Sequence, residues 1–296
     1  MSTQARSTEQ LHLHLMDFGR IRLTPSRPEP EEDWEQELKH TLALTKREIQ
    51  FIETAREDVV QLASQAPSEA DAFIVWFEAL REQGPGQGDP LFPWLADTAD
   101  LAQMRWFIQQ EVAGEAGFED LVALTQLRMP ATAKLEMARN YWDEMGRGSE
   151  RGMHGPMLDD IARELNIDNT RSPMTWEALA LGNLMVGFAC NRRYAYHSVG
   201  ALGAIELTAP TRATFVAAGL KRLKASKQGR LYFTLHASID IRHANDWNRE
   251  VITSLIRQDP SVARFIAEGA LMRLQAGALC FDRYRAHFGL DNSPLV

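Results

Sequence analysis

The chain has 296 residues, a formal charge of −8, 45% hydrophobic residues and 24% charged residues. These values are typical of one large or two ordinary globular domains, and an acidic chain without a clustered basic stripe argues against nucleic-acid binding. The N-terminus has no apolar core of a secretory signal, and the longest apolar run, residues 178–190, is too short to span a bilayer. Only two cysteines occur, far apart, which fits a reducing compartment. We therefore expect a cytoplasmic protein that binds neither a membrane nor nucleic acid.

Helical patterns account for almost all of the chain after a short N-terminal stretch. Alternating apolar residues predict β-strand only at residues 12–18 and 21–23, and the Pro/Glu-rich residues 24–32 are typical of a solvated linker. Apolar residues at helical spacing then predict helices up to the C-terminus, with Pro210 closing the longest buried one. These predicted helices cover residues 33–66, 68–83, 101–127, 131–145, 158–165, 175–207, 212–224, 231–256 and 260–288.

This order of elements predicts an all-α helical bundle. No internal repeat is visible, and every motif described below lies beyond about residue 90. We therefore expect residues 1–90 to form an N-terminal extension with helical segments and residues 91–296 to form the main domain.

The most informative motif consists of His236, Asp240 and His243. Spacings of four and three residues place all three side chains on one face of a helix. The residues around them are apolar and would normally occupy the buried face. Two imidazoles and a carboxylate in an apolar interior need a partner, and a metal ion suits all three. The alternative is an Asp–His hydrogen-bonded pair that stabilises a core.

Glu206 is a second candidate ligand because it lies in an otherwise uncharged run, residues 199–207. Glycines in this run allow another helix to approach closely, and a lone buried carboxylate is costly unless it is paired or bound to a metal. The alternative is a buried salt bridge to Arg192 or Arg193.

Further candidates lie nearer the N-terminus. Glu144 ends a predicted helix, and His154 follows ten residues later across a glycine-rich loop. Glu111 shares a helical face with Glu115, one turn further on. The alternative for Glu111 is a solvated helix face.

Together these residues offer four carboxylates, three imidazoles and no thiolate. Such a donor set favours iron or manganese over a structural zinc site. Seven ligands exceed the needs of one ion and suit two, as in the dinuclear carboxylate sites of helical bundles.

The chain resembles the heme-oxygenase-like diiron oxidase and oxygenase superfamily, whose members are often described as iron-containing redox enzymes. The resemblance rests on Asn-Tyr-Trp-Asp-Glu-Met-Gly-Arg-Gly at 140–148 with His154, Gly-Ala-Ile-Glu at 203–206 and His-x3-Asp-x2-His at 236–243, and it covers roughly residues 101–288. It implies a bundle of about seven core helices in which a dinuclear iron site replaces the haem pocket. By that similarity, the residues that match the ligand motif are Glu144, His154, Glu206, His236, Asp240 and His243, with Glu111 as the first-helix glutamate.

The resemblance implies an O2-dependent non-haem diiron enzyme. Its cofactors would be two Fe ions cycling between Fe2+ and Fe3+, with O2 as co-substrate and manganese as an alternative metal. The substrate would be a small amine, amino acid or fatty-acid-like molecule, which the enzyme would N-oxygenate, desaturate or cleave at a carbon–carbon bond. Such enzymes usually act in specialised-metabolite biosynthesis, and an external electron donor and a homodimer are both compatible with this function.

Two other functions are open. A metal-free or singly metallated binding or scaffold protein could use the same bundle. A true haem oxygenase is disfavoured because the predicted first core helix, residues 101–127, contains no histidine. If the substrate carries a carboxylate, Arg192, Arg193 or Arg242 could bind it, and His197 could line the same site.

Overall fold

The computed structural model describes residues 3–27, 33–115, 117–167 and 174–290; the side chains of residues 3–6, 113 and 115 lie outside this description. The first seven helices are α1 (Thr3–Leu23), α2 (Trp34–Glu57), α3 (Val60–Ala63), α4 (Ala70–Gln83), α5 (Leu91–Asp97), α6 (Leu101–Glu115) and α7 (Phe118–Thr125). The remaining seven are α8 (Ala131–Glu144), α9 (His154–Glu164), α10 (Trp176–Cys190), α11 (Ala195–Arg222), α12 (Leu231–Asp246), α13 (Thr253–Gln258) and α14 (Ala263–Phe288). No β-strand occurs within the described ranges, which confirms the predicted all-α fold.

The prediction of strand near the N-terminus is wrong, because residues 12–18 and 21–23 belong to helix α1. The apparent alternation also contains a helical face: His12, Leu15 and Phe18 are buried at a spacing of three residues. Of the predicted linker, residues 28–32 lie outside the described ranges.

The long helix predicted over residues 175–207 is instead two helices. α10 ends at Cys190, a short 3₁₀ turn follows, and α11 then continues through Pro210 to Arg222, so that the predicted separate helix 212–224 does not exist. Asn191 makes the break, because its backbone is extended and its side chain accepts a hydrogen bond from the Arg193 N–H. Pro210 lies inside this helix, where it removes the hydrogen bond that its N–H would give to the Glu206 carbonyl and its ring crowds that carbonyl.

The predicted helix 101–127 is also divided, into α6 and α7. Gly117 directly precedes α7 with a φ of +71°, a left-handed conformation that glycine adopts without strain. Helix α6 ends at Glu115, so helical spacing cannot relate Glu111 to residues beyond it.

Helix α11 is the centre of the bundle and packs most extensively on α14, α12 and α5. Its contact with α14 is very close: a Cβ on Gly200 would lie 1.9 Å from the Ile266 carbonyl oxygen, and one on Gly269 would lie 2.0 Å from the His197 carbonyl oxygen. Helices α1, α2 and α4 pack against α10, α11 and α14. A domain division near residue 90 stays a prediction.

A membrane-spanning helix would need about 20 mostly apolar residues. None of the helices in the described part of the chain is both long enough and apolar enough.

Candidate metal centre

The glycine-rich loop between α8 and α9 brings Glu144 and His154 together. Gly146 has a φ of +59° and lies so close to Gly152 that a Cβ would lie 2.4 Å from the Gly152 carbonyl carbon. The two ends of the loop, at Met145 and Met153, form an isolated β-bridge. Glu144 at the end of α8 and His154 at the start of α9 therefore meet, with 2.7 Å between Glu144 Oε2 and His154 Nδ1.

Helix α12 presents His236, Asp240 and His243 on its buried face, as their spacing predicts. His236 Nδ1 lies 2.7 Å from the Tyr232 carbonyl oxygen, which can only accept, so Nδ1 carries the proton. In the neutral form of the ring, Nε2 is then the nitrogen with the lone pair, and it lies 3.6 Å from Glu144 Oε2. The backbone of α12 itself therefore sets the ring orientation and tautomer that a metal ligand needs.

His243 is oriented by a carboxylate rather than by backbone. Its Nε2 lies 3.1 Å from Asp143 Oδ2, and Asp143 is in turn held by Arg147 and Arg242. Because the Asp143 carboxylate accepts the Nε2 proton, Nδ1 of His243 can act as a ligand. That nitrogen lies 3.4 Å from Glu206 Oε2 and 3.5 Å from Glu144 Oε1.

Glu206 reaches the same place from α11. Its Oε1 accepts a hydrogen bond of 2.7 Å from the Asn140 side-chain amide, which fixes the carboxylate. Trp247 lies in the π-helical segment Trp247–Ile252 that follows α12. Its ring packs directly on Gly203 of α11, where a Cβ would lie only 2.9 Å from the ring, and its indole N–H donates to the Val199 carbonyl. This contact fixes α12 against α11 and so sets the distance between His243 and Glu206.

The buried donors form two adjoining groups that share Glu144. One group is Glu144, His154 and His236, the other is Glu144, Glu206 and His243, and within each group the donor atoms lie within 4.8 Å of one another. A carboxylate common to two donor groups is the arrangement that a dinuclear carboxylate site uses.

Electrostatics within this cluster are unbalanced. Burial and the charges of Glu206 and Glu144 raise the pKa of Asp240 well above its usual range. Burial would lower the pKa of His243, but the interactions with Glu206, Glu144 and Asp143 outweigh it and raise the pKa to about 10. Burial would raise the pKa of Glu144, but His154 and His236 hold it well below its usual range. Crowded carboxylate charge thus favours the protonated forms of Asp240 and His243, and a bound cation would offset the same charge instead.

The cluster fits a metal pair by its own chemistry. Asp240 Oδ1 and His243 Nδ1 are buried atoms that form no hydrogen bond. Buried polar atoms without partners are costly and rare in proteins. Oxygen and imidazole donors without thiolate suit iron or manganese, which would give both atoms a partner.

The first-helix ligand stays a prediction. Glu111 lines the cavity that contains the cluster but belongs to neither donor group, and the Glu115 side chain lies outside the described residues. Glu119, which sequence reasoning did not consider, lies beside the cluster: a Cβ on Gly155 would lie 3.3 Å from Glu119 Oε1.

The arginines that we considered as partners of Glu206 or of a substrate carboxylate lie elsewhere. Arg192 donates to the carbonyls at the end of α7, Arg193 pairs with Glu53, and Arg242 pairs with Asp143. His197 does not line the site, because its Nε2 lies 3.0 Å from Glu268 Oε2 on α14.

Sequence reasoning missed three residues that hold the donors in place. The roles of Asp143 and Asn140 were not recognised, because both residues lie in the motif 140–148 with Glu144, which was taken as its functional residue. Tyr232, whose hydroxyl lies 3.0 Å from His154 Nε2, lies one helical turn before His236, a spacing that could have identified it.

A cavity of about 120 Å³ opens beside the cluster. Its ionisable lining residues are Glu111, Glu144, His154, Glu206, Arg212, His236, Asp240 and Arg273. The rest of the lining is mainly apolar or aromatic, so the cavity combines polar donor groups with apolar walls.

Solved structures share this fold. One is the crystal structure of a CADD-like protein of unknown function from Nostoc punctiforme, which is 16% identical, aligns with a TM-score of 0.51, and covers 80% of this chain and 97% of that one. At this identity the likeness shows the fold alone. No curated protein matches the sequence. A sequence family described as "iron-containing redox enzyme" matches residues 105–278, more than half of the chain, which confirms the resemblance noted from the motifs. The chain therefore belongs to the iron-containing redox enzyme family.

Proposed function

We propose that the protein is an O2-dependent non-haem diiron oxidase or oxygenase that acts on a small organic substrate. The observation that carries the proposal is the pair of buried donor groups that share Glu144. Family membership supports iron and redox chemistry, and the donor set supports two ions rather than one.

In this proposal Glu144 would belong to the ligand sets of both irons. His154 and His236 would hold one iron with it, and Glu206 and His243 would hold the other. Asp240 on the same face of α12 offers an oxygen that has no hydrogen bond within the protein. When bound, two ferrous ions would supply the electrons that activate dioxygen.

The remaining side chains act on the ligands. Asp143 holds the Nε2 proton of His243, the Tyr232 carbonyl holds the Nδ1 proton of His236, and Asn140 fixes Glu206. Such partners fix ring orientation and raise ligand basicity. The apolar walls of the cavity would exclude water around an oxidisable group. N-oxygenation, desaturation and carbon–carbon cleavage all fit these features, as does a role in specialised-metabolite biosynthesis with an external electron donor.

Iron content tests the proposal directly. Anaerobic Fe(II) loading and removal of free metal should leave about two irons per chain, as expected for a dinuclear carboxylate site. His236→Ala should lower the content to about one or less, whereas His40→Ala, which removes an exposed imidazole on α2, should not.

Rapid mixing of the loaded protein with O2 should then give a transient visible absorbance that His236→Ala lacks. Fewer than one iron per wild-type chain would contradict the proposal and favour a metal-free or singly metallated binding protein. Manganese loading under the same conditions, followed by the same mixing, separates iron from manganese as the active metal.

A further inference from the structure

A large cavity lies between helices α1, α2, α10 and α14, away from the metal site. Its volume is about 900 Å³, against about 120 Å³ for the metal-site cavity, and among the described residues the two cavities share no lining side chain. Pockets of roughly 300–1,000 Å³ are typical of sites that enclose a small organic molecule. The proposed function makes no use of this cavity, so its lining can serve a separate ligand.

Three aromatic rings in contact with one another contribute to the lining of this cavity. The ring centre of His12 lies 4.8 Å from that of Phe51, edge to face, and 5.9 Å from that of Trp176, with the two planes nearly parallel. The Asn183 side-chain amide donates to the His12 carbonyl at 2.9 Å, which fixes α1 against α10. Burial lowers the pKa of His12 to about 4, so this ring adds no charge at neutral pH. Such rings suit a flat aromatic ligand.

Glu177 gives the same cavity a carboxylate oxygen without a partner. The residue follows Trp176 in the first turn of α10, and its Oε2 is a buried atom that forms no hydrogen bond with the described residues. Burial raises the pKa of Glu177, and its own backbone N–H and the charge of Arg283 offset this only in part. A buried carboxylate oxygen without a partner is costly. An ammonium group would supply both a hydrogen bond and an opposite charge.

The charge of the lining favours a cation. Arg47 and Asp58, both exposed, carry opposite charges, so Glu177 leaves the acidic and basic side chains of the lining with a net formal charge of −1. This charge suits a monocation better than an anion.

We propose that this cavity binds an aromatic monoamine, with the ammonium group on Glu177 and the aromatic ring against Trp176 and Phe51. The site goes beyond the proposed function, because none of the metal-site donors takes part in it. Glu177 and Trp176 are consecutive residues, so a ligand with a short spacer between its ring and its ammonium group reaches both. An ammonium group near the face of an aromatic ring gains further attraction. Polar substituents of the ligand would meet the side chains of Gln50, Thr54 and Gln275.

Binding to the metal-free protein tests the assignment without catalysis. The probes are 2-phenylethylamine, 2-phenylethanol and 3-phenylpropionate, which present the same ring with a positive, a neutral and a negative end. Calorimetric titration should show that the amine binds about tenfold more tightly than the alcohol, because its hydrogen bond to the carboxylate joins opposite charges. The propionate should bind more weakly than the alcohol, because like charges repel.

Substitutions in the lining separate the contribution of charge from that of the ring. In Glu177→Gln the amine should bind no more than about twofold more tightly than the alcohol. Glu57→Gln, which removes an exposed carboxylate of α2 outside the lining, should keep the tenfold preference. Trp176→Leu should weaken the amine and the alcohol by a similar factor of about five, because both lose the ring contact. The preference is a ratio within each variant, so a difference in the folded fraction does not change it.

Four results would overturn the proposal. They are no measurable binding of the amine, equal affinity of wild type for amine and alcohol, tighter binding of the propionate than of the amine, and an unchanged preference in Glu177→Gln. Iron loading keeps this test separate from the proposed function, because Glu177→Gln should bind as much iron as wild type. A preference for the amine in a wild-type chain that binds no iron would leave the amine site standing and refute the diiron enzyme.

Discussion

Helix α11 contributes to two buried polar clusters that differ in how their charge is balanced. The metal-site cluster comprises Glu144, His154, Glu206, His236, Asp240 and His243. The α2–α14 cluster comprises Arg56, His197 and Glu268. Both contain buried histidines and carboxylates, and both leave some polar atoms without hydrogen bonds.

The difference is charge. In the α2–α14 cluster, Glu268 accepts from Arg56 at 2.8 Å and lies 3.0 Å from His197, so a permanent cation of the protein offsets its carboxylate. In the metal-site cluster, three carboxylates lie together, and their crowding helps to raise the pKa of both Asp240 and His243. Burial alone therefore does not distinguish the two clusters. An arginine bonds directly to the carboxylate of the α2–α14 cluster, whereas histidines and the Asn140 amide are the partners of Glu144 and Glu206 in the metal-site cluster.

The largest expected effect concerns the contact that holds the α2–α14 cluster. Gly269→Ala would place a Cβ 2.0 Å from the His197 carbonyl oxygen, and neither backbone can move without separating α11 from α14. We expect the free energy of unfolding to fall by about 3 kcal/mol or more, measured by chemical denaturation. Gly114→Ala, where the Cβ would meet only ordinary contacts at 3.6 Å and beyond, should change it by about 1 kcal/mol at most. Similar effects of the two substitutions would show that the close crossing is not needed.

Removing the balanced carboxylate should destabilise the protein. Glu268→Gln leaves Arg56 and His197 without their shared charged partner, so the free energy of unfolding should fall by about 2 kcal/mol. Iron content should not change, because the cluster is separate from the metal-site donors. Arg264→Gln removes an exposed arginine 3.6 Å from the same carboxylate and should cost about 0.5 kcal/mol or less. Loss of iron in Glu268→Gln would contradict the separation of the clusters.

Removing the Asp240 carboxylate from the metal-site cluster should instead raise the free energy of unfolding. Asp240→Asn keeps the shape of the side chain, removes a carboxyl whose ionised form is disfavoured by burial and by Glu206 and Glu144, and lets the amide donate to a neighbouring carboxylate. In metal-free protein the free energy of unfolding should rise by about 1 kcal/mol, by chemical denaturation in the presence of a chelator. Added Fe(II) should stabilise wild type more than the variant, because only wild type keeps the full donor set. A loss as large as that of Glu268→Gln would place Asp240 in an ordinary structural network.

The sequence was sufficient for the fold class and for the spacing of His236, Asp240 and His243, because helical periodicity is local and lies within one helix. It was also sufficient to predict that Glu144 and His154 lie close together, because the loop between them is short and rich in glycine. It could not divide residues 101–127 into two helices, since the break depends on one left-handed glycine at 117 and its tertiary setting.

Contacts between residues that are distant in the chain could not be predicted from the sequence. Arg212 and Arg273 are 61 residues apart in the chain and were not singled out, whereas Arg192, Arg193 and Arg242 were chosen because they lie near the motifs. Nearness in sequence is a poor guide across helix crossings, where the face of each helix decides which side chains meet. The same reason explains why Glu268, the partner of His197, was not foreseen.

The smallest expected effect is the pH dependence of the stability that Glu268 contributes. Burial would raise the pKa of Glu268, but hydrogen bonds with His197 and Arg56 outweigh it and hold the pKa below the usual 4.5. A carboxyl with a lowered folded-state pKa stabilises the fold above its unfolded-state pKa, and that contribution is lost as pH falls through the folded-state pKa. In metal-free protein, the stability advantage of wild type over Glu268→Gln should therefore shrink by about 1 kcal/mol as the pH falls below about 4.5. Denaturation at a series of pH values measures this difference, with Arg264→Gln as the variant whose curve should follow that of wild type. Curves for wild type and Glu268→Gln that stay parallel through the acid range would mean that Arg56 does not stabilise the carboxylate form, and the two clusters would then differ in position rather than in charge.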